Sequence, residues 1–213
     1  MEIGRWERLA PLTGVVFAVL LFASFVIPGT PPNADDSTHK VVQYWSTHDT
    51  ENIVAALVGA VAVVFFIWFA SSLRSAIMEA EGGTGRLAAI VYGGAVIVAA
   101  GAAVTVGFQF SAADSVGDVP AAVTQTLSVI NIDGFLWFSA GIALFWFASA
   151  FATFKTRVLP VWLAWISIVL AIVAFTPAAL VAVLGFLIWV IIVSVLLYVR
   201  QPKAATPTAP ATP

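Results

Sequence analysis

The chain has no cysteine, two methionines, two histidines and only 9% charged residues. Without cysteine there is no disulfide, no thiol redox chemistry, no thiolate metal site and no Fe–S cluster. Neither His39 nor His48 falls in a long apolar run, and Met1 and Met78 are no better placed. A haem ligated inside a helical bundle is therefore excluded, as is a metalloprotease needing H-E-x-x-H on one helix. Soluble domains carry about 25% charged residues. Here 61% of residues are hydrophobic and the mean hydropathy is +1.02, which excludes a soluble fold. No cofactor is implied by anything that remains.

What is present is a series of apolar runs. They fall at about 11–28, 53–73, 87–110, 134–154, 159–176 and 179–199. Each is near the ~20 residues that cross a bilayer as a helix, and in lipid only a helix satisfies a lone segment's backbone. Of nine Lys and Arg, eight lie in gaps of one parity: Arg5, Arg8, Arg74, Arg86, Lys155, Arg157, Arg200 and Lys203. Only Lys40 lies in the other. Cytoplasmic loops retain positive charge, so this split predicts six spans with both termini inside. The expected fold is all-α: a single six-helix transmembrane domain over 1–200 in a bacterial cytoplasmic membrane, followed by a disordered tail, 201–213. Its first run reads as an uncleaved signal anchor, because no A-x-A-like site follows it.

The outer gaps are acidic, holding Asp35, Asp36, Asp49, Glu51, Asp114 and Asp118, with Asp133 at a boundary. That balance argues against nucleic acid. In the first outer gap, Asp36 and Ser37 precede Val41, Tyr44, Trp45 and His48, spaced as one helical face. A short amphipathic helix should lie on the outer leaflet or close the bundle. Asp118 and Pro120 signal a helix start near Val119. Trp6, Trp68, Trp162, Trp165 and Tyr198 suit the inner interface, and Trp45 and Trp137 the outer one. Trp146 and Trp189 sit deeper and each should aim its N–H at a partner. Ala95, Ala99, Ala103 and Gly107, every four residues, form a small-residue stripe suited to close helix packing. EGGTGR (81–86) lacks the GK[ST] ending of a phosphate loop and reads as a turn.

Acidic or basic residues within a span are functional candidates by default, and the span cores have almost none. The polar residues nearest to them are Glu51, Asn52, Gln109, Asn131 and Asp133, which we take as a candidate outward-facing pocket. Two placements of Asp133 stay open. If its helix starts near Val119, Asp133 lies inside the span facing protein; if at Asn131, it complements a helix N-terminus. His39 and His48, nine residues apart, would lie on nearly opposite sides of one helix, so no metal site is expected.

The segments STHKVVQYWSTH, SSLRSAIMEAEGGTGRLAA, the N-x-x-G of Asn131–Gly134 and LPVWLAW occur in an order that resembles small six-span bacterial integral membrane proteins of unassigned function. The resemblance implies the fold and topology, and carries no catalytic residues. Three functions follow as expectations. The favoured one is a non-enzymatic accessory or scaffold protein, bound to a membrane-protein partner or a second copy. The others are a small-molecule or lipid binder or transporter using the outward pocket, and a membrane-embedded enzyme with Asp133 as its acid or base. The two halves show no internal repeat of the kind transporters use.

Overall fold

The computed structural model describes residues 5–176 and 179–200, and these are helical with no strand among them. A short α1 (Arg5–Leu9) leads through a 3-10 turn (Ala10–Leu12) into α2 (Thr13–Val26). Then come α3 (Thr38–Thr47), α4 (Asp49–Glu81), α5 (Arg86–Asp114) and α6 (Ala121–Asp133). The chain finishes with α7 (Phe135–Thr156), α8 (Val161–Val173) and α9 (Ala179–Arg200). Among the described residues, five helical stretches are long and apolar enough to cross a membrane: Glu7–Val26, Asp49–Glu81, Arg86–Asp114, Ala121–Thr156 and Val181–Arg200. The apolar α8 is shorter, at 13 residues.

The apolar runs underestimate two helices. At 33 residues, α4 is about 50 Å long, well beyond a hydrocarbon core of about 30 Å. Its polar ends, from Asp49 and up to Glu81, continue the backbone helix where hydropathy no longer marks it. The same holds for α5, which runs on to Asp114. Between them, Gly82 and Gly85 both adopt left-handed φ (60° and 63°), ending one helix and opening the next. EGGTGR is thus a helix–helix turn. Pro177, which by sequence marks a tight turn between the last two apolar runs, and the 201–213 tail lie outside the described residues.

Neighbouring helices pack in the order α9, α2, α4, α5, α7, α8, and α8 touches α9 to close the ring. Aromatic rings fill its centre. Phe186 of α9 stands 6.2 Å from Phe17 of α2, 5.5 Å from Phe66 of α4, and 5.7 and 5.6 Å from Phe145 and Trp146 of α7. Such edge and tilted pairs add to the gain from burial itself.

The tightest crossing, α5 on α7, does not use the expected stripe throughout. Ala95 and Ala99 are buried, but Ala103 and Gly107 are exposed, and a Cβ on Gly107 would meet nothing within 4 Å. The close approach runs through Gly94, Gly101 and Gly141. A Cβ on Gly94 would come within 2.6 Å of the Phe145 nitrogen, and one on Gly141 within 2.6 Å of the Val98 nitrogen. Spacings of seven residues, as from Gly94 to Gly101, hold one side of a helix better than repeated fours, which drift around it.

The two ends of the ring differ. At the basic end, the Glu81 carboxylate accepts from the Leu87 and Ala88 amides at 3.3 and 3.0 Å, capping α5, and lies 3.7 Å from Lys155 of α7. An anion there complements the N-terminal helix dipole. Arg200, closing α9, donates to the Val158 carbonyl at 2.7 Å. The far end is roofed by α3 and α6. On α3, Ser37 accepts from the Lys40 amide at 3.4 Å as N-cap, and Val41 and Trp45 are buried against Ala112 and Ala113 of α5. The amphipathic helix therefore closes the bundle, and Trp45 is a core residue, not an interfacial one.

Candidate functional site

The polar cluster forms at the α3/α6 end, but not with all five of its expected members. Asn52, 1% exposed, is its centre. Its Nδ2 donates to the His48 carbonyl at 2.8 Å and more weakly to the Tyr44 hydroxyl at 3.4 Å. Its Oδ1 accepts from Gln109 Nε2 at 3.1 Å, joining α4 to α5. Tyr44 donates onward to the Pro28 carbonyl at 2.9 Å, so the loop after α2 belongs to the same network. His48 stacks on Tyr44 with ring centroids 4.9 Å apart. Burial pushes the Tyr44 phenol above the ordinary tyrosine value; the Asn52 hydrogen bond opposes this and the nearby Glu51 charge adds to it.

Asn131 makes a separate tie. Its Nδ2 donates to the Thr105 carbonyl at 3.1 Å, holding the end of α6 against α5. Between α3 and α6, Thr38 donates to Gln125 Oε1 at 2.6 Å.

Both carboxylates face away. Glu51 precedes Asn52 on one helix, about 100° around the axis, and is exposed. The helix bearing Asp133 does begin early, at Ala121 with Pro120 as its N-cap, yet Asp133 is exposed. The reason is angular: two residues on a helix are about 200° apart. With Asn131 turned towards α5, Asp133 must point away from it. Asp133 closes α6, and the backbone tightens past it, Gly134 bonding to Asn131 and Trp137 to Gly134. Neither placement expected for Asp133, inward-facing within the span or at the start of a helix beginning at Asn131, describes it.

Sequence reasoning missed Tyr44 as a partner of Asn52. Part of the signal was available: Asn52 follows Tyr44 by eight residues and His48 by four, and backbone bonds from His48 to Tyr44 and from Asn52 to His48 carry that spacing across the bend at His48. It was obscured because α3 and α4 read as separate elements. An open groove of about 430 Å³ lies beside this network, lined by Thr38, His39, Val42, Gln43, Ser46 and Ala121. None of the five expected pocket residues lines it.

The deep tryptophans divide. Trp189 donates to Ser167 Oγ at 2.9 Å, as expected. Trp146, fully buried, has no partner for its Nε1, contrary to expectation. Trp68, Trp162 and Trp165 are exposed on the outside of the ring.

No family model, curated protein or solved structure matches the chain. Fold and site together define an all-helical protein whose long helices are apolar enough to cross a membrane, closed at one end by a hydrogen-bonded cap.

Proposed function

We propose that this is a six-span protein of a bacterial cytoplasmic membrane, with both termini inside, acting as a non-enzymatic accessory or scaffold protein through helix contacts with a membrane-protein partner or a second copy. The resemblance to small six-span bacterial membrane proteins belongs to this reading. The sixth crossing is α8. Val158, before α8, accepts from Arg200 at the end of α9, so the chain leaves the basic end and returns to it within that stretch. Since α9 is long enough to cross, α8 with its flanking residues has to cover the same depth. Arg86, Lys155, Arg157 and Arg200 gather at this basic end, which supports reading it as the cytoplasmic side by the positive-inside rule. Lys40, at the other end, is neutralised by Asp36 at 2.8 Å.

The observation that carries the non-enzymatic reading is the spending of the polar cluster on structure. Asn52 accepts from Gln109 and donates to the His48 carbonyl, Asn131 ties two helices, and Glu51 and Asp133 point away from both. Acid–base chemistry needs positioned companions around the reacting group, and Asp133 has none from this set. The groove beside α3 supports a second reading, a binder of a small polar molecule at the outer surface.

The test is mass spectrometry of the protein taken from its own membrane into nanodiscs, scoring proteins and small molecules together. A stoichiometric protein companion, or a second copy, is expected. A single copy carrying one defined small molecule would overturn the scaffold reading in favour of the binder.

A further inference from the structure

We propose that the buried face of α7 holds a hydrogen-bond acceptor oxygen from outside the polypeptide, at the turn bearing Trp146 and Ser149. Ser139, Ile142, Trp146, Ser149 and Thr153 follow one another by three, four, three and four residues, which places them on one face of α7. All are 3% exposed or less. A face buried in a hydrocarbon-depth bundle is ordinarily aliphatic, and this one carries three hydroxyls and an indole.

Elsewhere among the described residues the buried polar side chains have partners, except Trp45 Nε1, which lies alone in the cap. Trp189 donates to Ser167, Ser167 to the Leu163 carbonyl at 2.7 Å, and Ser194 to the Val190 carbonyl at 2.7 Å. Trp146 Nε1 and Ser149 Oγ, one turn apart on α7, have none among the described residues. At membrane depth no bulk water reaches such groups, and each left unpaired costs several kcal/mol. Two on adjacent turns of one face point to a shared occupant rather than two separate defects.

The chemistry of the pair limits that occupant. An indole N–H only donates, so the occupant must accept; a serine hydroxyl both donates and accepts. Phe186 stands 5.6 Å from the Trp146 ring and packs with Phe145, so the surroundings are aromatic and do not support an ion. An oxygen fits, supplied by a buried water or by the carbonyl of a lipid-soluble molecule. This inference does not depend on the scaffold reading: water leaves that reading intact, and a ligand carbonyl would replace it.

The experiment is NMR of the protein in nanodiscs with 15N-labelled tryptophan. Phe145–Trp146 is the only Phe–Trp pair in the chain, so 13C-carbonyl phenylalanine assigns the Trp146 backbone amide, and the indole signal lost in Trp146→Phe assigns its indole. We expect the Trp146 indole proton at low field, beside that of hydrogen-bonded Trp189, and shifted in Ser149→Ala, which removes the hydroxyl without adding bulk. Magnetisation transfer from water to that proton identifies the occupant as water. Its absence, with a defined small molecule retained in native mass spectrometry and lost in Trp146→Phe, identifies a ligand. A Trp146 indole at high field and indifferent to Ser149→Ala overturns the proposal. A low-field indole with neither source overturns it too, because the acceptor is then the protein's own.

Discussion

Asn52 is the side chain on which the cap depends most. It satisfies a carbonyl on its own helical path, a tyrosine hydroxyl and the amide of Gln109 on another helix. Asn52→Ala strands the Gln109 amide, while the His48 carbonyl keeps the backbone N–H of residue 52, at about 1–3 kcal/mol for such a loss. We expect a lower thermal midpoint in detergent and faster proteolysis of the segment 29–48, with Glu51→Ala as a near-silent control. Tyr44 adds a pH dependence. Because its folded pKa is raised, the neutral phenol is the form the cap holds. That stabilisation is fully present below the unfolded tyrosine value of about 10 and is lost as pH rises through the higher folded value. Proteolysis of 29–48 should accelerate across that alkaline window, and the acceleration should vanish in Tyr44→Phe. If Tyr44→Phe keeps it, the phenol is not the titrating group.

Among the helices, the α5–α7 crossing is the most demanding contact. Gly94→Ala and Gly141→Ala each drive a methyl against opposing backbone, which no side-chain rotation relieves. Overpacking of this kind costs roughly 1–3 kcal/mol, so both variants should lose thermal stability. Gly107→Ala places its methyl in open space and improves helix propensity, so it should be neutral or mildly stabilising. Equal damage from all three would return the contact to the Ala95–Gly107 stripe. The helix content of this region was legible from its apolar run. The contact face was not, because small residues occur on several sides of α5 and only the position of α7 selects among them.

The molecule as a whole has an even number of crossings in the proposed topology, and the cysteine-free chain makes that simple to test. Single-cysteine variants Ser46→Cys, Asp118→Cys and Phe175→Cys should react with a membrane-impermeant maleimide on intact cells. Thr84→Cys should react only after permeabilisation. Phe175 is the deciding position, being exposed and just beyond α8. If its cysteine needs permeabilisation, α8 does not cross and the six-span reading fails.

Composition and the order of apolar runs were enough to read an all-helical chain with helices of membrane-crossing length, a short amphipathic helix after the first of them, and a turn at Gly82–Gly85. Those features depend on local chemistry: hydropathy over about twenty residues, a serine cap, glycines that accept left-handed φ. The site was read less well. Asn52, Gln109 and Asn131 were found because polar residues flanking apolar runs are few, but their company with Glu51 and Asp133 did not survive folding. Adjacency along a chain does not put two side chains on one side of a helix, and rotation about the axis is set by what each helix packs against. The same applies to Trp146 and Trp189, alike in depth and chemistry. Among the described residues, Ser167 stands within reach of one indole and no side chain or carbonyl pairs with the other, a difference that arises only where α7, α8 and α9 meet.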